Sequence, residues 1–313
     1  MRIIFFGTSE FALASLERLI NSSHQVLAVV TQPDRKKGRS LKLSPPPAKV
    51  LAIAKSIPVY QPQDASSAES AVYLKKLGAD LFVVVSFGQI LKDNILSIPK
   101  LYPINIHGSL LPKYRGAAPT NWAIINGERS SGVTIMKMNE RMDEGDIILK
   151  KEIPIDDADT NITLNEKLSE LGAEVLIETI GLIESGKTIV FTKQDAKLST
   201  YAPKLKKEDG LIDWRKTALD IHNRVRGFLP WPGAYTHFED KVIKILRTEI
   251  IDSAPRPKAQ AGEVVDIIKG KGILVRTGSD DILITHLQLE GKTAMDADSF
   301  IRGHKISKGC RFI

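Results

Sequence analysis

The sequence predicts an α/β fold in the first half of the chain and a small β-barrel in the second half. In the first half, short runs in which every residue is apolar alternate with segments whose apolar residues recur at helical spacing. In the second half, short strands are separated by turns rich in Gly or Asp. Strands that are apolar on both faces are typical of a parallel sheet covered by helices on both sides. The fold class is therefore α/β, with a Rossmann-like, mostly parallel sheet followed by a small barrel.

Each element of the first half follows from its local pattern. The predicted strands are residues 3–6, 26–31, 58–60, 80–86, 104–107 and 132–138, and the run 80–86 has the strongest strand character. The predicted helices are residues 12–20, 48–55 and 67–77, followed by a long amphipathic helix from Leu164 to Ile180 that ends near Gly186. This alternation predicts a first domain over residues 1–189.

The second half has a different organisation. Residues 190–206 are polar and show no periodicity, which predicts a linker. A helix with Ala218, Ile221 and Val225 on one face follows the linker. The predicted strands after it are residues 242–246, 263–268, 273–277 and 282–287. Short strands at regular spacing favour a small barrel, so residues 207–313 are predicted to form a second domain.

Composition excludes several classes of protein. The chain has 313 residues, which is long enough for two domains with their own cores. The single cysteine, Cys310, excludes a disulfide framework and a cysteine-based zinc site within one chain. No apolar run approaches the roughly 20 residues that a membrane span needs, and the N-terminal run is too short for a signal peptide. We therefore expect a cytoplasmic protein with no membrane partner and no metal, whose net charge of +7 permits a polyanionic partner.

Several common catalytic motifs are absent from the places where they would act. The first strand is followed by Gly7-Thr8-Ser9, and neither G-x-G-x-x-G nor G-x-x-x-x-G-K stands there. The motifs G-x-S-x-G and H-E-x-x-H do not occur in the chain. These observations disfavour NAD or ATP use, a serine hydrolase and a zinc protease.

The most informative segment runs from Asn105 to Pro119, where a strand enters a loop rich in Gly and Pro. Asn105 and His107 are two residues apart on the strand, so their side chains share a face. An amide donor beside an imidazole can hold a carbonyl oxygen that gains negative charge, and the imidazole can move a proton. Residues 142–146 form an acidic turn, and a carboxylate of this turn that reached His107 would orient its ring. A structural histidine and a solvated turn are the alternatives.

One further feature is a candidate for the surface, and another concerns packing. Residues 34–49 carry six basic residues and three consecutive prolines, which predicts a mobile surface loop. Trp214 and Trp231 are interpreted as packing residues at the domain junction in preference to platforms on which nucleobases stack.

The order of motifs along the chain resembles the 10-formyltetrahydrofolate-dependent formyltransferase family, and within it the enzymes that act on methionyl-tRNA. The matching segments are GTSEFA from residue 7, TQPDR from residue 31, SFGQIL from residue 86, NIHGSLLP from residue 105, RGAAP from residue 115, GVTIM from residue 132, DEGD from residue 143 and PWPG from residue 230. Met142 and Leu229 depart from the family, which usually has leucine and asparagine there. Neither departure touches the chemistry that the resemblance implies.

The resemblance implies transfer of the formyl group of 10-formyltetrahydrofolate to the α-amino group of methionine on initiator tRNA. By this analogy, Asn105 and His107 hold the formyl oxygen, and Asp143 holds His107 and helps proton movement. The folate pocket would be lined by Ser109, Leu110, Leu111 and Pro112. The reaction would use no metal.

The resemblance also implies an OB-type barrel, a fold that binds nucleic acid through a basic groove. From Lys204 onward the chain has 20 basic and 15 acidic residues, so +5 of the net charge of +7 lies in the part of the sequence that starts at Lys204. The basic loop can then be a clamp on the tRNA acceptor stem that becomes ordered on binding, through Arg35, Lys36, Lys37, Arg39 and Lys42. The alternative for this loop is a solvated insertion.

Three other functions stay open at this stage. A relative that formylates a small amine would need neither a basic loop nor a basic barrel. A hydrolase would pass the formyl group to water and would need no acceptor. An RNA-binding protein that has kept the fold would leave Asn105, His107 and Asp143 idle. We expect the protein to be a monomer.

Overall fold

The protein is described by a computed structural model that covers residues 1–37, 42–186, 188–251 and 259–313. The chain forms two compact units. The first unit consists of Met1–Pro119, Ser130–Pro154 and Asn165–Ala202. The second unit consists of Thr120–Arg129, Ile155–Leu164 and Pro203–Ile313. Both units therefore draw on segments that are distant in the sequence, and the predicted boundaries at residues 189 and 207 stay a prediction.

The secondary structure follows the predicted alternation. The strands are β1 (Arg2–Gly7), β2 (Gln25–Val30), β3 (Arg35–Lys37), β4 (Lys42–Ser44), β5 (Val59–Tyr60), β6 (Leu81–Val85), β7 (Pro103–His107), β8 (Arg115–Gly116), β9 (Ser130–Lys137), β10 (Ile147–Pro154), β11 (Tyr201–Ala202), β12 (Ala234–Phe238), β13 (Lys241–Ile250), β14 (Val264–Ile268), β15 (Gly272–Arg276), β16 (Asp281–Leu289) and β17 (Met295–Asp296). The α-helices are α1 (Leu13–Ile20), α2 (Pro47–Ala54), α3 (Ala68–Leu77), α4 (Asp93–Leu96), α5 (Pro119–Ile125), α6 (Asn161–Glu184), α7 (Ala218–Gly227) and α8 (Ala297–Gly303).

A seven-stranded sheet forms the core of the first unit, in the order β10-β9-β7-β6-β1-β2-β5. The strands β7, β6, β1, β2 and β5 are parallel to one another, which confirms the predicted mostly parallel sheet. The strands β9 and β10 are antiparallel at one edge. The sequence did not predict β10, because an edge strand is half exposed and lacks a continuous apolar run.

The parallel strands end in turns that carry polar side chains. Thr8, after β1, donates its hydroxyl proton to the Phe87 carbonyl oxygen, which follows β6, at 2.7 Å. The Gln32 backbone N–H, after β2, donates to Thr8 Oγ1 at 3.3 Å. His107 is the last residue of β7. Because ligands of open α/β sheets bind outside the carboxyl ends of the strands, this edge is where chemistry is expected.

The second unit contains an antiparallel sheet in the order β12-β13-β16-β15-β14, with β17 paired to β16. The last residues of the chain join the two outer strands of this sheet. Ile313 exchanges backbone hydrogen bonds with His237 of β12 at 2.9 Å, and the Val264 N–H at the start of β14 donates to the Cys310 carbonyl oxygen at 2.8 Å. The sheet is thereby closed, as the predicted small barrel requires. Trp214 lies in its core at 5% exposure, which confirms its interpretation as a packing residue.

Of the segment predicted as a linker, residues 190–202 have a defined structure within the first unit, and residues 203–206 belong to the second. Strand β11 pairs with β8 in parallel, and Thr192 forms an isolated bridge with Ile147. Ala202 is fully buried. The segment shows no periodicity because its polar side chains form hydrogen bonds with loops instead of packing as one face of a helix or strand.

Neither a membrane span nor a metal-binding cluster is found in the part of the chain that the structure describes. Within those ranges, no helix is long and apolar enough to cross a membrane. In the same residues, no three His, Cys, Asp or Glu side chains form a group that could hold a metal ion.

Candidate active site

The centre of the site is His107 at the end of β7. Its ring is 7% exposed, and Nε2 lies 2.9 Å from the carbonyl oxygen of Tyr114. A carbonyl oxygen can only accept a hydrogen bond, so Nε2 carries a proton and donates it there. Nδ1 is therefore the ring nitrogen that can take up or release a proton during a reaction.

Asp143 lies beside Nδ1 of this histidine, as its predicted role requires. Asp143 Oδ1 is 3.7 Å from His107 Nδ1, which is longer than a hydrogen bond, and the two groups form an ion pair when Nδ1 is protonated. Asp143 Oδ2 accepts the Gly116 backbone N–H at 2.8 Å. The carboxylate is thus held by the backbone on one side, and its other oxygen faces the imidazole.

Asn105 has a side-chain oxygen that forms no hydrogen bond with the described part of the protein. Its Oδ1 is buried and has no hydrogen-bond partner among the described residues. An unpaired buried acceptor costs about 1–3 kcal/mol, so it persists where a ligand completes it. The pleat of β7 puts this side chain on the same face as His107.

Two non-glycine residues next to His107 adopt left-handed backbone conformations. Tyr114, whose carbonyl accepts the His107 proton, has a φ of +59°, and Asp143 has a φ of +55°. Such conformations cost of order 1–3 kcal/mol and persist where neighbouring structure holds them. The Tyr114 backbone N–H is held by Thr200 Oγ1 at 2.9 Å.

Gln194 connects the two loops that carry these strained residues. Its Nε2 donates to the carbonyl oxygens of Asp143 and Gly145, both at 2.8 Å. Its Oε1 accepts from Arg115 Nε at 3.1 Å and from Arg115 Nη2 at 2.9 Å. The sequence analysis missed Gln194 and Thr200 because both lie in the predicted linker, where no local pattern marks them.

Two glycines make this arrangement of loops possible. A β-carbon on Gly145 would lie 1.8 Å from the Lys137 carbonyl oxygen. Gly116 has a φ of +115°, and a β-carbon there would lie 2.7 Å from the Ala202 carbonyl oxygen. Any larger residue at either position would push the loops of the site apart.

The segment predicted to line the folate pocket is mostly engaged with the protein. Ser109 Oγ donates to the Lys113 carbonyl oxygen at 2.7 Å, and Thr134 Oγ1 donates to the Ser109 carbonyl oxygen at 2.7 Å. Leu111 is fully buried against Met136 and Ile147. The half-buried side chains of this segment are those of Leu110 and Pro112. The pocket role of the segment stays a prediction.

A separate cavity of about 720 Å³ lies in the first unit next to the Asp143 turn. Its lining includes Tyr102, Lys137, Arg141 and Glu144, and none of the residues 109–112. The Lys137 ammonium lies 5.5 Å from the centre of the Tyr102 ring. Burial raises the pKa of the Tyr102 phenol, which therefore stays neutral at physiological pH.

The described ends of the basic segment form a β-hairpin. Strands β3 and β4 pair with Arg35 opposite Ser44 and Lys37 opposite Lys42. Lys36 and Lys42 are exposed, and Arg39 lies outside the described residues. The sequence predicted a loop here because backbone pairing in an exposed hairpin needs no apolar side chains.

The base of this hairpin is anchored to the first unit. Lys49 Nζ lies 2.8 Å from Asp34 Oδ1, and Gln61 Nε2 donates to the same oxygen at 2.8 Å. These hydrogen bonds, from Gln61 and Lys49, lower the pKa of the Asp34 carboxyl. Arg35 Nη2 donates to Gln32 Oε1 at 3.0 Å, so the first cation of the hairpin is held near the carboxyl ends of the strands.

Comparison with known proteins identifies the family of this chain. Residues 1–180 match the formyl transferase family, and residues 204–305 match the formyl transferase C-terminal domain. The methionyl-tRNA formyltransferase of Geobacter sulfurreducens is 48% identical over 311 residues, which cover 99% of this chain and 96% of that protein. The protein of the same name from Pelotomaculum thermopropionicum is 45% identical over 312 residues, covering 99% and 97%.

Solved structures share the fold at lower identity. WlaRD, a sugar 3N-formyl transferase studied with dTDP and 5-N-formyl-THF, has a TM-score of 0.65 at 21% identity and covers 94% of this chain and 99% of its own. HypX from Aquifex aeolicus in complex with tetrahydrofolic acid has a TM-score of 0.62 at 18% identity, over 96% of this chain and 47% of HypX. The fold, the arrangement around His107 and the two matched segments lead to one conclusion: this chain belongs to the formyl transferase family, and it is an enzyme of that family.

Proposed function

We propose that this enzyme transfers the formyl group of 10-formyltetrahydrofolate to the α-amino group of methionyl initiator tRNA, giving N-formylmethionyl-tRNA for translation initiation. The observation that carries the proposal is the cluster of Asn105, His107 and Asp143 at the carboxyl end of β7, with an unpaired buried oxygen on Asn105. The methionyl-tRNA formyltransferases that match 99% of this chain support the choice of acceptor. The enzyme acts in the cytoplasm as a monomer.

The reaction makes three demands on the protein. The amine nitrogen forms a bond to the formyl carbon while the bond from that carbon to N10 of the folate breaks. The formyl oxygen gains negative charge in the transition state and needs a hydrogen-bond donor. The amine gives up a proton, and N10 takes one up.

Asn105 and His107 meet these demands in different ways. The Asn105 amide Nδ2 donates to the formyl oxygen, while its unpaired Oδ1 accepts an N–H of the attacking amine. His107 Nδ1 takes the proton that the amine releases, because Nε2 is already used by the Tyr114 carbonyl. Asp143 is the compensating charge, 3.7 Å from Nδ1, for the ring in its protonated state. In this proposal His107 acts on the amine proton, whereas the family resemblance implies that both Asn105 and His107 hold the formyl oxygen.

The folate cosubstrate binds beside the segment that follows β7. The half-buried side chains of Leu110 and Pro112 contact the folate. Ser109 and Leu111 stabilise the loop, Ser109 through its hydrogen bond to the Lys113 carbonyl and Leu111 through its packing in the core. The geometry of this loop, closed by Thr134, supports the assignment. No metal takes part in any of these steps.

The basic hairpin binds the tRNA backbone. Arg35, Lys36, Lys37 and Lys42 provide the charge, together with Arg39, which lies outside the described residues. Phosphate contacts of this kind determine the position of the RNA and carry no sequence information. The anchored base at Asp34 supports this role, since it holds the cations next to the strand ends.

The experiment that tests the proposal measures formyl transfer from 10-formyltetrahydrofolate with three acceptors. Methionyl initiator tRNA is expected to give a formylated product. Uncharged tRNA and a small amine, such as an amino sugar nucleotide, are expected to give none. Release of formate without acceptor would instead identify a hydrolase, and tRNA binding without turnover would identify an RNA-binding protein.

Neutralising the hairpin is expected to weaken binding of tRNA and not of folate. A variant with Arg35, Lys36, Lys37, Arg39 and Lys42 changed to Gln should raise KM for methionyl-tRNA. Each lost phosphate contact should reduce the slope of log K against log salt by about 0.7–0.9. The control neutralises Lys75 and Lys76, which are exposed on α3. An unchanged slope would show that the side chains of the hairpin are solvated and do not contact the tRNA phosphates.

Removing the Gln194 connection is expected to slow the reaction by about 10- to 100-fold, because catalytic groups displaced by about 1 Å lose that much rate. Gln194→Ala removes both ends of the connection, whereas Gln194→Glu keeps the oxygen that Arg115 uses. Both variants lose the donor to Asp143 and Gly145, so both should lose kcat. Steady-state kinetics measure this, and a wild-type kcat in Gln194→Ala would show that the turn holds its conformation alone.

A further inference from the structure

One tryptophan of the second unit is exposed, although the residue is usually buried. Trp231 is 52% exposed, whereas Trp214 is 5% exposed and donates its Nε1 proton to Thr236 Oγ1 at 2.9 Å. Trp122, the third tryptophan, is partly buried and donates to the Pro203 carbonyl oxygen at 2.9 Å. The interpretation of Trp231 as a packing residue is therefore wrong: more than half of its surface meets solvent, and the protein interior does not use it.

The backbone of the loop that carries Trp231 is held by hydrogen bonds to the rest of the second unit. The Gly233 N–H donates to the Phe228 carbonyl oxygen at 3.0 Å, and Asn161 Nδ2 donates to the Leu229 carbonyl oxygen at 3.0 Å. Phe228 and the residues Pro232 and Gly233 are buried. The indole consequently stands on a fixed backbone between two prolines, so a partner that contacts it pays little conformational entropy.

Two cations lie beside this loop with no acidic partner. The Arg224 guanidinium lies 5.8 Å from the centre of the Phe228 ring. The Lys244 ammonium is 4.0 Å from the position that a β-carbon on Gly233 would occupy. Within the described ranges, neither Arg224 nor Lys244 forms an ion pair. An exposed aromatic ring on a well-held loop that has unpaired cations beside it is the combination that binds a nucleotide through its base and its phosphate.

We propose that Trp231 is a stacking platform for an unpaired nucleobase of the RNA substrate, with Lys244 and Arg224 contacting the adjacent phosphates. This inference rests on the proposed function, because it needs an RNA acceptor. It adds a base contact in the second unit to the phosphate contacts of the hairpin in the first. Stacking accepts any base, so Trp231 adds affinity and orients the strand without reading its sequence.

The test uses tryptophan fluorescence, since stacking on a base quenches an exposed indole. Titrating the full-length enzyme with methionyl-tRNA is expected to quench part of its fluorescence. In Trp231→Phe the quenching should disappear while the Kd for tRNA stays within about threefold, because phenylalanine still stacks. In Trp231→Ala the Kd should rise by about 5-fold or more, with KM for the folate unchanged.

The control is Leu219→Ala, which removes another exposed apolar side chain of the same unit, at 56% exposure. It should leave the Kd for tRNA unchanged. Quenching that persists in Trp231→Phe, or a wild-type Kd in Trp231→Ala, would overturn the proposal. Circular dichroism checks that Trp231→Ala is folded. If Trp231→Ala does not fold, the loss of quenching in Trp231→Phe still tests the proposal. Wild-type enzyme that fails to formylate methionyl-tRNA would contradict the proposed function, whereas wild-type turnover with an unaffected Trp231→Ala contradicts this inference alone.

Discussion

Changing Asp143 to asparagine is expected to lower kcat by about 10³- to 10⁴-fold, although the change is nearly isosteric. The side chain has one oxygen on the Gly116 N–H at 2.8 Å and the other facing His107 Nδ1 at 3.7 Å. The asparagine oxygen must stay on the Gly116 N–H, because an amide NH₂ cannot accept that proton. The NH₂ group then faces Nδ1 and donates to its lone pair, so the ring loses its site for the proton of the amine.

The measurement pairs kinetics with folate binding on the same variant. The Kd for a folate analogue should stay within a few-fold of wild type, since the shape of the turn is kept. Asp146→Asn, the same chemical change three residues further along, is the control and should keep most of its activity. Loss of folate binding with a normal chemical step would make Asp143 a residue that shapes the pocket, and its pairing with His107 would then have no catalytic role.

Replacing Asn105 with alanine is expected to lower kcat by about 10²- to 10³-fold, which is the effect of removing one donor to a developing oxyanion. The structure adds an expectation about stability. Because Asn105 Oδ1 is buried without a partner, its removal takes away an unfavourable group. The free energy of unfolding should therefore stay equal to that of wild type or rise, while activity collapses.

Urea unfolding and single-turnover kinetics on Asn105→Ala separate these two effects. Asn105→Asp keeps an oxygen at the same place and removes the amide donor, so it should be as inactive as the alanine variant. A large loss of stability in Asn105→Ala would mean that the side chain serves the fold. Turnover close to wild type would remove Asn105 from the mechanism.

Sequence patterns were sufficient where burial is continuous along one element. The runs of β1 and β6 are fully buried, so their apolar character appears in consecutive residues. The position of His107 at the end of β7 and its shared face with Asn105 follow from the same local rule. The family resemblance added Asp143, whose contact with His107 no spacing could predict.

The tertiary structure decided everything that depends on partners distant in the sequence. Gln194 is 51 residues from Asp143 and 79 from Arg115, and Thr200 is 86 from Tyr114. Such hydrogen bonds leave no periodicity, because periodicity reports the burial of one face and not the partner of a polar atom.

Which nitrogen of His107 can react also depends on a hydrogen-bond partner. The Tyr114 carbonyl oxygen occupies Nε2 and leaves Nδ1 available, and Tyr114 itself has a left-handed backbone conformation. The exposure of Trp231 likewise follows from how its loop is held in the barrel unit, the second unit. The sequence by itself therefore determined the elements and the chemical identity of the site. Folding determined which atoms of that site are already satisfied and which are left for a substrate.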